Sequence, residues 1–164
     1  MNKKKIKYRV TYLEMNRKPS FDWPKNLKHK LSILLAESFP AWYFLFFYKQ
    51  VGKNYYWTDW LRKSEDEIDE FVNDKNVLLY TLIKDGWPVG FYMLDYRKKD
   101  ICDLSFFGLV DEVIGVGLGK YLLQTAILTA WDSKKIKKLT VNTCSLDHKS
   151  AIYLYQKYGF TPVK

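Results

Sequence analysis

A glycine-rich stretch is the part of this sequence best suited to chemistry. Residues 113–123 read VIGVGLGKYLL, in which Gly115, Gly117 and Gly119 alternate with apolar residues and Lys120 follows. Glycine allows a ligand to approach the backbone, and the free N–H groups of a helix that starts here would favour an anion. The spacing departs from the P-loop and dinucleotide patterns, since Lys120 stands where a third glycine is needed for the latter. The alternative is a purely structural turn between a strand and a helix.

Cysteine and histidine are the other reactive side chains. Cys102 and Cys144 lie far apart, with no CxxC and no paired histidines, so the sequence predicts no metal site. Two packed thiols are typical of a reducing cytoplasm. His148 could act as a base. Cys144 is a weaker candidate for a nucleophile, because no neighbouring base accompanies it in the sequence.

The elements that must position these residues follow from the periodicity of apolar residues. The predicted order is strand, three helices, three strands, helix, strand, helix and a last strand that is short or missing. The predicted strands cover 6–15, 77–83, 88–96, 101–110 and 137–145, and the predicted helices cover 27–38, 41–51, 64–71, 118–131 and 148–158. No linker divides the chain, which predicts one domain over 1–164.

Several residues mark the ends of these elements. Ser64 and Glu67 have capping-box spacing, and Asp85-Gly86 predicts a tight hairpin turn. Asp147 and Gly159 are the expected N-cap and C′ residue of the last helix. After the glycines, an apolar stripe predicts a helix packed on a sheet, with the residues Leu118, Leu122, Leu123, Ala126, Ile127, Ala130 and Trp131.

Two stretches resemble motifs of one superfamily. DLSFFGLVDEVIGVGLGKYLL resembles motif A of the GNAT superfamily of acyl-coenzyme A-dependent N-acetyltransferases, whose Gln/Arg-x-x-Gly-x-Gly/Ala pattern falls on 114–119. LDHKSAIYLYQKYGF resembles motif B, with Ala151, Tyr155, Gly159 and Phe160 in place. The resemblance covers 76–160. The amino-terminal half is similar to that of one bacterial branch of the superfamily. Members of this branch often carry FGLLPEFIGRGLG and HTCTLDH where this chain has FGLVDEVIGVGLG and NTCSLDH.

The resemblance implies a fold and a reaction. The fold would be of the mixed α/β (α+β) class, with a mostly antiparallel sheet flanked by helices and two strands splayed apart at the acyl-coenzyme A site. The reaction would move an acetyl group from acetyl-CoA, a co-substrate, to a primary amine through a tetrahedral intermediate. No metal is implied.

The resemblance also implies catalytic residues. Tyr155 matches the family tyrosine that protonates the departing thiolate, with an ordinary packed aromatic as the alternative. Asp103 stands eleven residues before Ile114, the offset of a catalytic glutamate in the histone-acetylating branch, and is the candidate base. A solvent-facing strand residue is the alternative for Asp103, and His148 is then the second candidate base.

Coenzyme binding is expected over 109–120 and at the start of the last helix. The oxyanion donor would be the backbone N–H of Leu109 or Val110. Ile114 and Val116 replace the polar residues usual in motif A, so backbone groups must carry more of the binding. The expected coenzyme-binding residues are Leu109, Val110, Val116, Gly117, Leu118, Gly119, Lys120 and His148, the last in place of the usual asparagine. The aromatic segments 41–48 and 55–60 are expected to wall the acceptor pocket, where Asp59 could hold a cationic amine.

Composition limits the partners. The net charge of +9 is spread along the chain, and no nucleic-acid recognition motif accompanies it, so nucleic-acid binding is the least supported alternative. The most apolar run, 31–48, contains Glu37 and Pro40 and is shorter than the ~20 residues that span a bilayer.

We therefore expect a cytoplasmic protein that acts on a small-molecule or peptide amine. An exposed strand edge at the carboxyl end favours a homodimer. The alternative function is a non-catalytic acyl-CoA-binding module.

Overall fold

A mixed sheet with helices on both faces forms the protein in the computed structural model, which describes residues 5–25 and 28–164. The strands are β1 (Val10–Met15), β2 (Leu31–Ala36), β3 (Val77–Lys84), β4 (Trp87–Asp95), β5 (Ile101–Leu109), β6 (Lys138–Cys144) and β7 (Thr161–Pro162). The helices are α1 (Ala41–Gly52), α2 (Glu65–Val72), α3 (Leu118–Ser133) and α4 (Ala151–Lys157), with single 3₁₀ turns at Asp59–Arg62 and Asp111–Val113. The lateral strand order is β2-β3-β4-β5-β6-β1-β7.

The one parallel contact within this sheet is short. β5 and β6 pair only at Ile101–Lys138, Cys102–Leu139 and Asp103–Thr140, whereas the other neighbouring strands pair in antiparallel fashion. Past the Asp103–Thr140 pair, both strands continue without a partner between them. A gap therefore opens in the middle of the sheet, as the expected splay of two strands requires.

Helix α3 packs against one face of the sheet through the predicted stripe. Six of its seven residues are buried and Trp131 is partly buried. Leu13 and Met15 of β1 and Leu139 of β6 belong to the same core. Burial of one leucine side chain contributes roughly 1.5–3 kcal/mol to the stability of the fold. The apolar contacts on this face therefore hold β1, β5 and β6 against α3.

A second, largely aromatic core lies under α1 and α2 on the opposite face. Phe47 stacks on Phe91 at 5.0 Å between ring centroids, and Phe44 meets Phe106 at 5.1 Å. Segment 41–48 was expected to wall an acceptor pocket. Its inward side chains pack into this core instead, because α2, β3 and β4 cover them.

Two of the predicted turn and cap signals are confirmed by geometry. The Ser64 side chain accepts from the Glu67 amide at 3.2 Å, and the Glu67 carboxylate accepts from the Ser64 amide at 2.9 Å, which closes the capping box of α2. Asp85 and Gly86 have φ of 52° and 91°, as the loop between β3 and β4 requires of both its residues.

The predicted helix over 27–38 is wrong. Residue 27 lies outside the described residues, and Leu31–Ala36 form strand β2, which pairs with β3 from Leu31–Lys84 to Ala36–Leu79. Leu31 and Ile33 pack on the core while their neighbours face outward, so pairing with a distant strand overrides the local helical signal. The first strand is also shorter than predicted, and β7 is short, as expected.

Within 5–25 and 28–164, no helix is both long and apolar enough to cross a membrane.

Candidate active site

A cavity of about 310 Å³ occupies the gap between β5 and β6. Residues 104–109 of β5 form one side, and the start of α4 forms the other. Ile114, Gly115 and Gly119 lie at one end, and Val51, Tyr55 and Trp57 line it from the α1 side. The predicted glycine turn and the predicted tyrosine helix thus line the same cavity, although they are far apart in sequence.

The glycine turn presents free backbone donors. Gly115 and Gly117 have φ of 88° and 85°, and a Cβ atom on either would meet no atom within 4 Å. Gly117 is the N-cap of α3, and no side chain of the described residues caps this helix. The first N–H groups of α3, at Leu118, Gly119 and Lys120, are therefore available to an anion beside the cavity. Val116 and the Lys120 side chain are exposed, whereas the Leu118 side chain is buried.

The open edge of β5 corrects one expectation. The Val110 amide donates to the Val89 carbonyl at 2.9 Å, so it is not a free oxyanion donor. Opposed residues in an antiparallel ladder alternate between hydrogen-bonded and non-hydrogen-bonded pairs. Since Val110 and Val89 are hydrogen-bonded, Leu109 and Gly90 form a non-hydrogen-bonded pair. The Leu109 N–H and C=O therefore point away from β4 and into the gap, so of the two candidate N–H groups only that of Leu109 is not bonded to β4.

Tyr155 lies on the cavity wall with its ring almost completely buried. The ring contacts Phe107 at 6.2 Å and Phe160 at 5.8 Å between centroids. Burial, and to a lesser degree the Asp147 carboxylate, raises the pKa of the Tyr155 hydroxyl above its ordinary value. The hydroxyl has no hydrogen-bond partner among residues 5–25 and 28–164. It is thus a protonated group that faces a cavity.

The end of α4 fixes the position of Tyr155. Gly159 has φ of 106°, and its amide donates to the Gln156 carbonyl at 3.2 Å. The Phe160 amide donates to the Tyr155 carbonyl at 3.1 Å, which completes a Schellman motif. Gly159 is therefore the C′ residue, as predicted.

Asp103 lies at the point where the splay begins. Its Oδ1 accepts from Thr140 Oγ1 at 2.6 Å, and its Oδ2 accepts from Ser105 Oγ at 2.8 Å. Asp103 does not line the central cavity but a second, larger groove of about 710 Å³ that is also lined by Tyr12 and Arg97. Ser105 lines the central cavity, so the Ser105–Asp103 hydrogen bond links the two spaces.

His148 lies at the rim of the central cavity. Its Nδ1 accepts from the Ser150 amide at 3.2 Å and lies 2.7 Å from Ser150 Oγ. The ring is 6.3 Å from that of Tyr55. Because Nδ1 is an acceptor, the proton of the neutral ring is on Nε2.

The expectation that Asp147 caps α4 is wrong. The N-cap is Ser150, and Asp147 instead accepts from the Cys144 amide at 2.7 Å and from Thr143 Oγ1 at 3.0 Å. Its second oxygen accepts from Trp57 Nε1 at 3.1 Å. The carboxylate therefore closes the turn after β6 and anchors the loop after α1 at the cavity. The only sequence signal for this role was an aspartate in a short polar stretch, which is typical of turns.

The remaining candidates lie outside the cavity. Asp59 is exposed on its 3₁₀ turn and is not among the described residues that line either space. Cys144 Sγ accepts from the Leu146 amide at 3.4 Å, and Cys102 is buried, which raises its pKa to about 12. No group of three or more His, Cys, Asp or Glu residues in the described part of the chain is placed to hold a metal ion.

The sequence profile of the acetyltransferase (GNAT) family matches residues 36–160. The splayed sheet, the glycine turn and this match define the class of protein: the chain belongs to the GNAT acetyltransferase family. Among proteins with curated functions, none matches this sequence.

Solved structures share the fold. A GCN5-related N-acetyltransferase from Kribbella flavida has a TM-score of 0.59 at 13% identity, with 94% of this chain and 56% of that one covered. A GNAT family acetyltransferase from Elizabethkingia anophelis with acetyl-CoA bound has a TM-score of 0.59 at 22% identity, with 82% and 78% covered. The IAA acetyltransferase from Bacillus cereus has a TM-score of 0.56 at 24% identity, with 81% and 79% covered. The chain thus spans little more than half of the Kribbella flavida protein.

Proposed function

We propose that this chain transfers the acetyl group of acetyl-CoA to the primary amine of a small molecule or peptide. The observation that carries the proposal is the single cavity that joins the free N–H groups of α3 to the Tyr155 hydroxyl along the open edge of β5. The parts of acetyl-CoA would use these environments in the same order. The phosphates need the N–H groups of α3, the extended amide-bearing arm needs the open edge of β5, and the thioester needs the Tyr155 hydroxyl.

The coenzyme would be held mostly by the backbone. Its pyrophosphate would accept from the amides of Gly117, Leu118, Gly119 and Lys120, since Ile114 and Val116 offer no polar side chain. The pantetheine arm would pair like an additional strand with the outward groups of Phe107 and with the outward C=O of Leu109, which keeps the Leu109 N–H for the oxyanion. His148 at the rim could donate from Nε2 to the coenzyme.

The proposed reaction balances two proton transfers. The amine nitrogen attacks the thioester carbonyl carbon, and the Leu109 N–H stabilises the oxyanion that forms. The nitrogen loses its proton through Ser105 or a water to Asp103, and the amine approaches from the groove that Asp103 lines. As the carbon–sulfur bond breaks, Tyr155 gives its proton to the thiolate. The Tyr155 hydroxyl has no hydrogen-bond partner within 5–25 and 28–164, and a buried hydroxyl needs a partner, which the sulfur of the coenzyme would supply.

Binding and turnover test the proposal together. Acetyl-CoA at a hundredfold excess over its dissociation constant should stabilise the fold by about 2.7 kcal/mol, measured by thermal denaturation. An amine panel assayed by release of free thiol should contain at least one acceptor. Stabilisation without any amine-dependent release would favour the binding-module alternative. A melting temperature that millimolar acetyl-CoA leaves unchanged would exclude both.

A further inference from the structure

One tryptophan closes the central cavity on its α1 side. Trp57 lines this cavity, and its ring centroid lies 6.0 Å from that of Phe106 on β5. On the other wall, Trp57 Nε1 donates to Asp147, which follows β6. The indole therefore reaches from one splayed strand to the turn after the other. Because an indole is large and rigid, it blocks the α1 side of the gap at the level of Phe106.

The chain before Trp57 holds the indole in place. The amides of Tyr55 and Trp57 both donate to the Gly52 carbonyl, at 3.0 and 3.3 Å, so the backbone turns back on the end of α1. A Cβ atom on Gly52 would lie 2.3 Å from the Cβ of Trp57. Asn54 donates to Asp111, just past the end of β5, at 2.6 Å. The segment that carries Trp57 is thus tied to both walls of the gap.

Asp147 is itself held by the turn after β6. Its Oδ2 accepts from the Cys144 amide at 2.7 Å and from Thr143 Oγ1 at 3.0 Å, which leaves Oδ1 for the Trp57 indole. A carboxylate fixed by two donors presents its other oxygen in one direction. Asp147 is therefore a positioning residue for Trp57.

The rest of the α1 side leaves the indole as the main limit of the cavity. Val51 is buried and packs over Gly108 of β5, where a Cβ atom would lie 2.3 Å from Val51 Cγ1, so Val51 fills the space beside Gly108. Tyr55 lies toward the rim, where its ring is 6.3 Å from that of His148. Between these two side chains, the indole of Trp57 separates the cavity from the aromatic core.

The proposed position of the thioester directs the acyl group toward this indole. The carbonyl oxygen would accept from the Leu109 N–H, and the sulfur would face the Tyr155 hydroxyl. Tyr155 belongs to the core on the α3 face, whereas Trp57 and Phe106 pack on the aromatic core of the opposite face. The three substituents of a thioester carbon diverge in one plane. With oxygen and sulfur fixed, the acyl chain points to the α1 side.

We propose that Trp57, positioned by Asp147, restricts the acyl donor to short chains such as acetyl and propionyl. The inference rests on the proposed function, since it takes the thioester to lie between Leu109 and Tyr155. A longer chain such as hexanoyl would have to displace the indole and break its hydrogen bond to Asp147, or overpack the aromatic core.

Binding of acyl-CoA thioesters of graded length tests the proposal without an acceptor. Dissociation constants of acetyl-, propionyl-, butyryl- and hexanoyl-CoA are measured by calorimetry on the full chain, with free coenzyme A as the reference. Wild type should bind hexanoyl-CoA at least about tenfold more weakly than acetyl-CoA, because the chain must displace the indole. Trp57→Ala should remove that difference, and each added methylene should then strengthen binding by up to about fourfold.

Trp60→Ala is the matched control. Trp60 also packs against Phe106, at 5.9 Å between ring centroids, but it is not among the described residues that line the central cavity. Its removal loosens the same aromatic core without opening the cavity, so the preference for short chains should stay as in wild type. Trp57→Phe keeps a ring in place and should relax the preference in part, which also covers a Trp57→Ala variant that does not fold.

Asp147→Asn tests the positioning role. The amide oxygen would keep the contacts to Cys144 and Thr143, so the NH₂ group faces the Trp57 N–H, and two donors do not bond. Hexanoyl-CoA should gain up to about fivefold in affinity relative to acetyl-CoA, because the indole no longer has a hydrogen bond to break. In a ¹⁵N–¹H spectrum, the Trp57 indole N–H, identified by its absence in Trp57→Phe, should exchange faster with water. Thr143→Val keeps the Trp57 contact and should change neither result.

The outcomes separate this proposal from the proposed function. If acetyl-CoA does not bind wild type, the proposed function itself fails. If acetyl-CoA binds but hexanoyl-CoA binds equally well, or if Trp57→Ala and Trp57→Phe keep the wild-type preference, Trp57 does not set the chain length. Equal relaxation by Trp57→Ala and Trp60→Ala would indicate a loosened core rather than an opened cavity, and it would also overturn the proposal.

Discussion

Tyr155 is the residue on which the proposed chemistry depends most directly. Tyr155→Phe removes only the hydroxyl and keeps the ring between Phe107 and Phe160, so the fold and most of the coenzyme affinity should remain. Turnover should fall by about one to three orders of magnitude, because the thiolate must leave without a proton. Steady-state kinetics with thioesters of graded thiol acidity provide the check: the loss should shrink as the thiol becomes more acidic. Turnover at the wild-type rate would reduce Tyr155 to a packed aromatic.

Asp103 and Ser105 act as a pair in the proposed proton path. Asp103→Asn should lower turnover by about 10²–10⁴-fold and flatten the rise of rate with pH, while acetyl-CoA binding stays intact. Ser105→Ala should cause a smaller loss, since a water can take the place of the hydroxyl that donates to Asp103. Thr140→Ala is the matched comparison, because Thr140 donates to the same carboxylate but lies outside the central cavity. If Asp103→Asn turns over normally, His148 becomes the candidate base.

At the scale of elements, the glycine turn and the start of α3 act as one unit. Gly117→Val forces a β-branched residue into a left-handed conformation and should abolish the stabilisation by acetyl-CoA. Gly86→Val is the matched control, since Gly86 has φ of 91° and equally open surroundings but lies in the β3–β4 turn. Both variants should lower the melting temperature, and only Gly117→Val should change the coenzyme dissociation constant. Equal coenzyme binding by the two variants would show that the turn is purely structural.

For the whole molecule, buried tyrosines and the buried Cys102 thiol make stability depend on alkaline pH. Burial is the main cause that raises the pKa values of Tyr48, Tyr92, Tyr96 and Tyr155. Below about pH 10 the hydroxyls are neutral in both states. Above it, the unfolded chain loses protons that the folded chain retains, so stability falls as pH rises, by about 1.4 kcal/mol per pH unit for each group.

Urea denaturation between pH 8 and 11 measures this dependence. The free energy of unfolding should begin to decline above about pH 9, where the Cys102 thiol ionises in the unfolded chain only, and should fall more steeply above about pH 10. Tyr155→Phe should make the decline above about pH 10 shallower, by up to about 1.4 kcal/mol per pH unit, since one buried hydroxyl is removed. Identical slopes for the two proteins would contradict the assignment of a buried, protonated Tyr155.

Signals between neighbouring residues determined much of this protein from sequence alone. The capping box of Ser64, the Asp85-Gly86 turn, the C′ glycine Gly159 and the stripe of α3 all depend on residues within a few positions of one another. The resemblance of 76–160 to the GNAT motifs predicted the family, and with it the splay of β5 and β6. These features are local or repeated across a family, so one sequence is enough to identify them.

The tertiary structure decided what depends on distant partners. The apolar run 31–36 fits either a helix or a strand by its own pattern, and only pairing with β3 makes it an edge strand. Likewise, Asp147 meets Trp57 across 90 positions, and Asp103 meets Thr140 across 37. The Val110 amide is unavailable because Val89, on the neighbouring strand, accepts its hydrogen bond. Backbone donors and carboxylates acquire their roles from whichever strand lies beside them, and that neighbour is set by the packing of the whole sheet.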